Sequence, residues 1–135
     1  MASAMVSRWP VLLALPVEPD DLDASGRLTD AAIERLFSEA RSAYFDKCTT
    51  VDPTRLDARG VTAGRGPAPA GTGVTISVNV TEVFPDRFTM AAMIRPADDD
   101  GIAGTARCSL SPGGDVPKAM RDEFIALAHG ARHFH

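Results

Sequence analysis

The spacing of apolar and polar residues changes period along this chain, and each change marks an element. A brief apolar run, Val11-Leu12-Leu13-Ala14-Leu15, sits between Pro10 and Pro16. It predicts a first strand over residues 9–17, with Pro16 near the end where an edge or bulge tolerates a missing donor. From residue 30 to 45 the period becomes helical. Ile33, Leu36, Phe37, Ala40 and Tyr44 fall on one stripe, while Glu34, Arg35, Ser38, Arg41 and Ser42 lie largely off it. Thr29 or Asp30 can cap this helix, and Glu34 adds negative charge to the early turns, where the dipole favours it.

Between Thr49 and Gly73 the periodicity dissolves. Gly60, Gly64, Gly66, Pro67, Pro69, Gly71 and Gly73 interrupt a stretch whose apolar content is mostly alanine. This predicts a long Gly/Pro loop, of the kind that tends to be mobile or functional. Alternation then returns, with Val74, Ile76, Val78 and Val80 against Thr75, Ser77, Asn79 and Thr81. A turn at Phe84-Pro85-Asp86 leads to a strand over 87–95, carrying Phe88, Met90, Ala92 and Ile94 on one face. Its opposite face, Thr89, Ala91 and Met93, is also fairly apolar, which predicts cover on both sides. After a turn at 97–101 comes a strand from Ile102 to Leu110. Beyond Val116 a short amphipathic helix runs through Phe124, Ile125 and Leu127.

The order of strand, long helix, antiparallel meander and small helix predicts one α+β domain spanning residues 1–135, ordered over roughly 8–130. One helix cannot cover both faces of a sheet of four or five strands. The exposed face or edge calls for a partner, and the simplest partner is a second copy of the chain.

The net charge of −4 argues against a general nucleic-acid binder, which would present a basic surface. Cys48 and Cys108 lie far apart without metal-type spacing, so they read as packing residues in a reducing, cytoplasmic setting. The first apolar run is preceded by one charge, Arg8, and no small-residue cleavage site follows it, so it reads as a strand rather than a signal peptide. No segment approaches the length of a membrane span. His129 and His133 are one turn apart, but with His135 they have no accompanying acid or cysteine, and no metal site is assigned to them. Ser109 and Ser111 lack the glycine context of a nucleophile elbow.

The candidate chemistry lies in residues 17–30. This loop carries Glu18, Asp20, Asp21, Asp23, Ser25 and Gly26 and runs straight into the long helix. It therefore sets carboxylates beside a helix N-terminus, whose unpaired N–H groups are suited to an oxyanion. A solvated acidic loop is the commoner meaning of such a cluster.

The segments Asp21-Leu22-Asp23-Ala24-Ser25-Gly26-Arg27-Leu28-Thr29-Asp30-Ala31 and Leu36-Phe37-Ser38-Glu39-Ala40-Arg41 resemble the signature of hotdog-fold thioesterases of the 4-hydroxybenzoyl-CoA thioesterase-like branch. The resemblance implies a curved antiparallel sheet wrapped around one long central helix, in a homodimer or dimer of dimers with sites at the subunit interface. It implies hydrolysis of an acyl-CoA or other acyl thioester without a cofactor. Asp23 falls on the catalytic carboxylate, and the backbone N–H of Asp30 on the oxyanion donor. Gly26, Arg27 and Thr29 fall beside the substrate, and Arg65 and Arg87 are candidate contacts for CoA phosphates. Arg27 stands where a histidine often follows the glycine, and Asp30 where an Asn or His is common. The alternative is a non-catalytic hotdog dimer that binds an acyl thioester or another apolar ligand. A dehydratase or hydratase on the same fold would want a His/Asp pair, and neither the loop nor the helix carries a histidine.

Overall fold

The structure, a computed structural model, describes residues 11–133, with side chains to residue 129. Trp9 and Pro10 of the expected first strand, and His135, lie outside the described residues. Five strands and two α-helices follow in the order β1 (Val11–Pro16), α1 (Asp30–Asp46), β2 (Asp57–Arg65), β3 (Gly73–Val83), β4 (Phe88–Pro96), β5 (Gly104–Ser111) and α2 (Lys118–His133). The strands form one sheet in the order β1-β3-β4-β5-β2, with every pairing antiparallel.

The helical stripe read from the sequence is the one that is buried. Ile33, Leu36, Phe37, Ala40 and Tyr44 are all fully buried, and Ala32 and Phe45 join them. They meet Val74, Ile76 and Val78 of β3, Phe88, Met90, Ala92 and Ile94 of β4, and Ala106, Cys108 and Leu110 of β5 in one core. Burying each large apolar side chain contributes about 1.5–3 kcal/mol. The helix approaches β5 closely at Gly104, where an added Cβ would lie 3.0 Å from Ile33 Cδ1.

The stretch from Thr49 to Gly73 corrects the expectation of a loop, because Asp57–Arg65 is a nine-residue strand paired with β5. It is an edge strand, and its inward positions are small. Ala63 faces Ala106 on β5, so the strand never needed the large alternating residues that announce a core strand. One extra residue sits between Arg59 and Thr62, where Gly60 takes a φ of +62°. Such bulges bend and twist an edge.

Cover on both sides of β4 is partial within one chain: its inner residues are buried, and on the outer face Thr89 is buried while Ala91 and Met93 are half-buried. Phe124 of α2 touches Phe88, with ring centroids 4.7 Å apart, and Tyr44 at 6.1 Å. Both helices therefore lie on the inner face. The outer face keeps an open hollow of about 470 Å³ lined by Thr62, Gly64, Ala91, Met93, Thr105 and Arg107.

The terminal helix is longer than expected, at 16 residues. Phe124 is buried and Leu127 half-buried, but Ile125 is 60% exposed. The Glu123 carboxylate accepts from the backbone N–H and hydroxyl of both Thr49 and Thr50, at 2.5–3.0 Å. Burial works against its charge, but the Thr50 and Thr49 bonds outweigh it and hold the carboxyl below its ordinary range. This clamp fixes α2 against the end of α1.

After β2 the chain runs on beside the residues that lead into β5. Gly66 N–H donates to the Ala103 carbonyl at 3.1 Å and Ala68 N–H to the Ile102 carbonyl at 3.0 Å. A Cβ at Gly66 would lie 2.1 Å from the Ile102 carbonyl oxygen, so only glycine fits. Gly66→Ala is expected to destabilise the chain by about 1–3 kcal/mol. Gly114→Ala, where a Cβ meets open space, should stay within about 0.5 kcal/mol. Chemical-denaturation midpoints of the two variants check both values.

Candidate active site

The acidic loop is built by its own carboxylates. Oδ1 of Asp23 accepts from the Ser25 backbone N–H at 2.8 Å, the Ser25 hydroxyl at 2.6 Å and the Arg27 backbone N–H at 3.1 Å. The Asp23 N–H donates to the Arg27 carbonyl at 2.8 Å, and Gly26 N–H to the Asp23 carbonyl at 3.0 Å. An aspartate that bonds backbone two and four residues on closes a tight turn. Gly26, with φ at +81°, supplies the left-handed residue that the turn requires. A bridge between Leu22 and Leu28 closes the neck of the loop.

Several bonds seat this loop on the helix. Thr29 N–H donates to the Asp21 carbonyl at 2.9 Å, and the Asp21 carboxylate accepts from Glu18 N–H at 2.9 Å and Arg35 Nη2 at 2.7 Å. Of the two possible caps, the structure uses Thr29, whose hydroxyl accepts from Ala32 N–H at 3.1 Å. The Asp30 side chain is exposed. With Ala32 capped, the amides of Asp30 and Ala31 are those that an α-helix leaves without an intrahelical acceptor.

Arg65, at the end of β2, completes the arrangement. Its Nη2 pairs with Asp23 Oδ2, and its Nε donates to the Leu28 carbonyl at 3.0 Å. One guanidinium thus bridges the carboxylate and the backbone just ahead of α1. The Asp23 side chain is 30% exposed and that of Arg65 42%. Gly26 joins the same cluster, its carbonyl accepting from Ala70 N–H at 3.1 Å.

The structure therefore brings Asp23, Gly26, Arg27, Thr29, Asp30 and Arg65 together. Arg27 contributes its N–H to Asp23, and its side chain is exposed. Arg87 lies elsewhere, stacked over Phe84 at 4.3 Å and paired with Asp86 at 2.9 Å. On β5, Gly104 faces Arg65 and Leu110 faces Phe88, so about 20 Å of sheet separates the two arginines. Arg65 and Arg87 do not meet on one ligand phosphate within a single chain. Sequence reasoning left Ser25 out of the site. The Asp-x-Ser spacing of an Asx turn was the available signal.

Other reactive groups lie outside this cluster. Burial pushes the Cys48 thiol up to about 12, helped by the nearby Glu123 charge, and burial also raises Cys108 despite Arg41 beside it. Neither is a ready thiolate. Glu39 pairs with Arg35 along the helix at 3.7 Å, and Arg41 stacks over Phe37 at 4.5 Å. Among the described residues no group of three or more His, Cys, Asp or Glu is placed to hold a metal ion.

A five-stranded antiparallel sheet closed over one long central helix is the hotdog fold. No protein-family model matches the chain, and no curated protein matches it by sequence. Solved structures do match, and several of them are named as thioesterases. A thioesterase from Thermus thermophilus, complexed with coenzyme A and Zn, superposes with a TM-score of 0.76 at 19% identity, over 90% of this chain and 96% of that one. A thioesterase-superfamily protein from a Jannaschia species gives 0.71 at 23% identity, over 90% and 84%. A 1,4-dihydroxy-2-naphthoyl-CoA thioesterase from Synechocystis gives 0.62 at 15% identity, over 82% and 95%.

The cap assignment has a direct consequence. Thr29→Ala is expected to lower stability by about 1 kcal/mol, and Thr29→Ser to retain most of it. Urea denaturation followed by far-ultraviolet circular dichroism reads the difference.

Proposed function

We propose that this chain is a thioester hydrolase acting on an acyl-CoA, with Asp23 as its catalytic carboxylate and the first amides of α1 as its oxyanion site. The observation that carries the reading is the bridge made by Arg65, which sets the Asp23 carboxylate against the backbone entering α1. The likeness in fold to thioesterases, one of them complexed with coenzyme A, supports the substrate class.

A thioester asks for little catalytic equipment. Water must be deprotonated as its oxygen bonds the acyl carbon, and the negative charge on the carbonyl oxygen must be met by N–H donors. The C–S bond then breaks, and the thiol, with a pKa near 8.5, departs as thiolate without a dedicated acid. Asp23 suits the first task and the amides of Asp30 and Ala31 the second. Oδ1 of Asp23 is filled by three donors, and Arg65 takes one direction at Oδ2. A lone pair at Oδ2 remains for a water, so activating water disturbs the loop less than direct attack by the carboxylate. Gly26, Arg27 and Thr29 line the approach.

The same cluster lies beside β2, an edge strand that is exposed along most of its length. Such an edge presents unpaired N–H and C=O groups. A second copy of the chain placed there would complete the wall of the site, which makes a homodimer, or a dimer of dimers, the working form. Arg87 of one copy would then be free to serve the CoA phosphates of a site formed with the other. No helix among the described residues is long and apolar enough to cross a membrane, and the two free cysteines suit the cytoplasm. The alternative, a dimer that binds an acyl thioester without cleaving it, rests on Arg27 and Asp30 standing where the related signature has other residues.

An acyl-CoA panel read with a thiol-trapping dye tests the assignment. Asp23→Asn should lower kcat by about 100-fold or more, the scale of a general base. Saturable binding of acyl-CoA with no release of thiol from the wild type would select the non-catalytic reading. Light scattering at micromolar concentration should return twice the mass of the chain, or four times.

A further inference from the structure

We propose that Arg65 is a positioning residue, anchored on the Leu28 carbonyl, that holds the Asp23 carboxylate in its working orientation at the start of α1. The inference rests on reading Asp23 as the catalytic carboxylate and adds a residue whose side chain touches Asp23 rather than the substrate.

Four donors hold the Asp23 carboxylate, and three of them come from Ser25 and Arg27, within four residues of it. They shape the turn but do not place it against the sheet. The fourth comes from Arg65, 42 residues along the chain and on a different element. Of the side-chain contacts to the carboxylate, this alone fixes it relative to the rest of the fold.

The anchor itself is firm. Arg65 Nε bonds the carbonyl of Leu28, a fully buried residue. A guanidinium is a planar fork, so fixing Nε also fixes the direction of Nη2. The fork aims at Oδ2 and leaves Oδ1 to the loop. An ammonium carries its three donors on a single nitrogen at the end of a flexible stem, so it has no rigid fork to anchor at one nitrogen and aim with another.

The pair is also electrostatic. The charged groups on the elements that meet Asp23 are Arg65 from β2, Glu18, Asp20, Asp21 and Arg27 on its own loop, Asp30 at the start of α1, and Arg35 one turn further on. Arg35 is committed to Asp21 at 2.7 Å and to Glu39 at 3.7 Å. The Arg27 and Asp30 side chains are exposed. The segment 66–70, which lies across the loop, carries no charge. Arg65 is thus the cation in contact with a carboxylate that has acidic neighbours, and it favours the ionised form.

The test uses the full chain and three variants, Arg65→Gln, Arg65→Lys and Asp23→Asn. Two readouts are taken, the pH dependence of acyl-CoA hydrolysis and a carbon-13 titration of the Asp23 carboxyl. Arg65→Gln is expected to lower kcat by about 10- to 100-fold, the cost of a misplaced catalytic group, with KM little changed. Its acid limb and the Asp23 titration should both move to higher pH, because the cation beside the carboxylate is lost. Arg65→Lys should recover part of each effect.

An unchanged acid limb and an unchanged Asp23 titration in Arg65→Gln would overturn the proposal. So would an effect on KM alone, which would make Arg65 a substrate contact. If Arg65→Gln does not fold, Arg65→Lys carries the same two readouts. Turnover that survives Asp23→Asn would remove Asp23 from catalysis, whereas the carboxyl titration tests its contact with Arg65 independently.

Discussion

Burial of the apolar stripe of α1 under a single sheet face is the constraint from which the rest of the molecule follows. The stripe runs from Ile33 to Tyr44 and is fully excluded from water. The inner faces of β3, β4 and β5 supply the matching surface, and α2 closes its end through Phe124. With both helices on one side, the outer face of the sheet and its two edges have no second layer among the described residues. The architecture that satisfies the helix is also the one that leaves the sheet in want of a neighbour.

The same constraint decides where chemistry can occur. A helix buried along its length offers unpaired backbone only at its ends. The C-terminal end of α1 is occupied by the turn that Glu123 clamps. The N-terminal end is entered by a loop stiffened by Asp21 and Asp23, with Thr29 as cap, so its first amides stay near the surface beside β2. A carboxylate held there by Arg65 is ordered yet partly open to solvent. That combination suits a group that must handle a water molecule, and the two cysteines, whose thiols burial holds protonated, lack it.

The likeness to thioesterases of known structure extends over most of the chain at 15–23% identity in the three compared. At that level the fold is what is shared, because core positions tolerate many apolar side chains of similar volume. The contacts of Asp23 and Arg65 are read from this chain's own structure, and the proposed function joins them to the likeness in fold.

The sequence by itself determined α1, β3 and β4, because each presents large side chains at the period of its own element, and it located β5 between the turn at 97–101 and Leu110. It also marked the Asp23 loop, although only the resemblance of its residues to a known signature set it apart from the commoner solvated acidic loop. It could not reveal β2: an edge strand that packs inward only through Val61 and Ala63 has little hydrophobic alternation to display, and its glycines imitate a loop. For the same reason Arg65 could be read from the sequence as a candidate contact for CoA phosphates but not as the partner of Asp23. Only tertiary structure decided that β2 runs beside β5 and ends at the acidic loop, so that Arg65 meets a carboxylate 42 positions earlier in the chain. Pairing across that distance depends on strand order, and strand order follows from which surfaces the whole chain buries together.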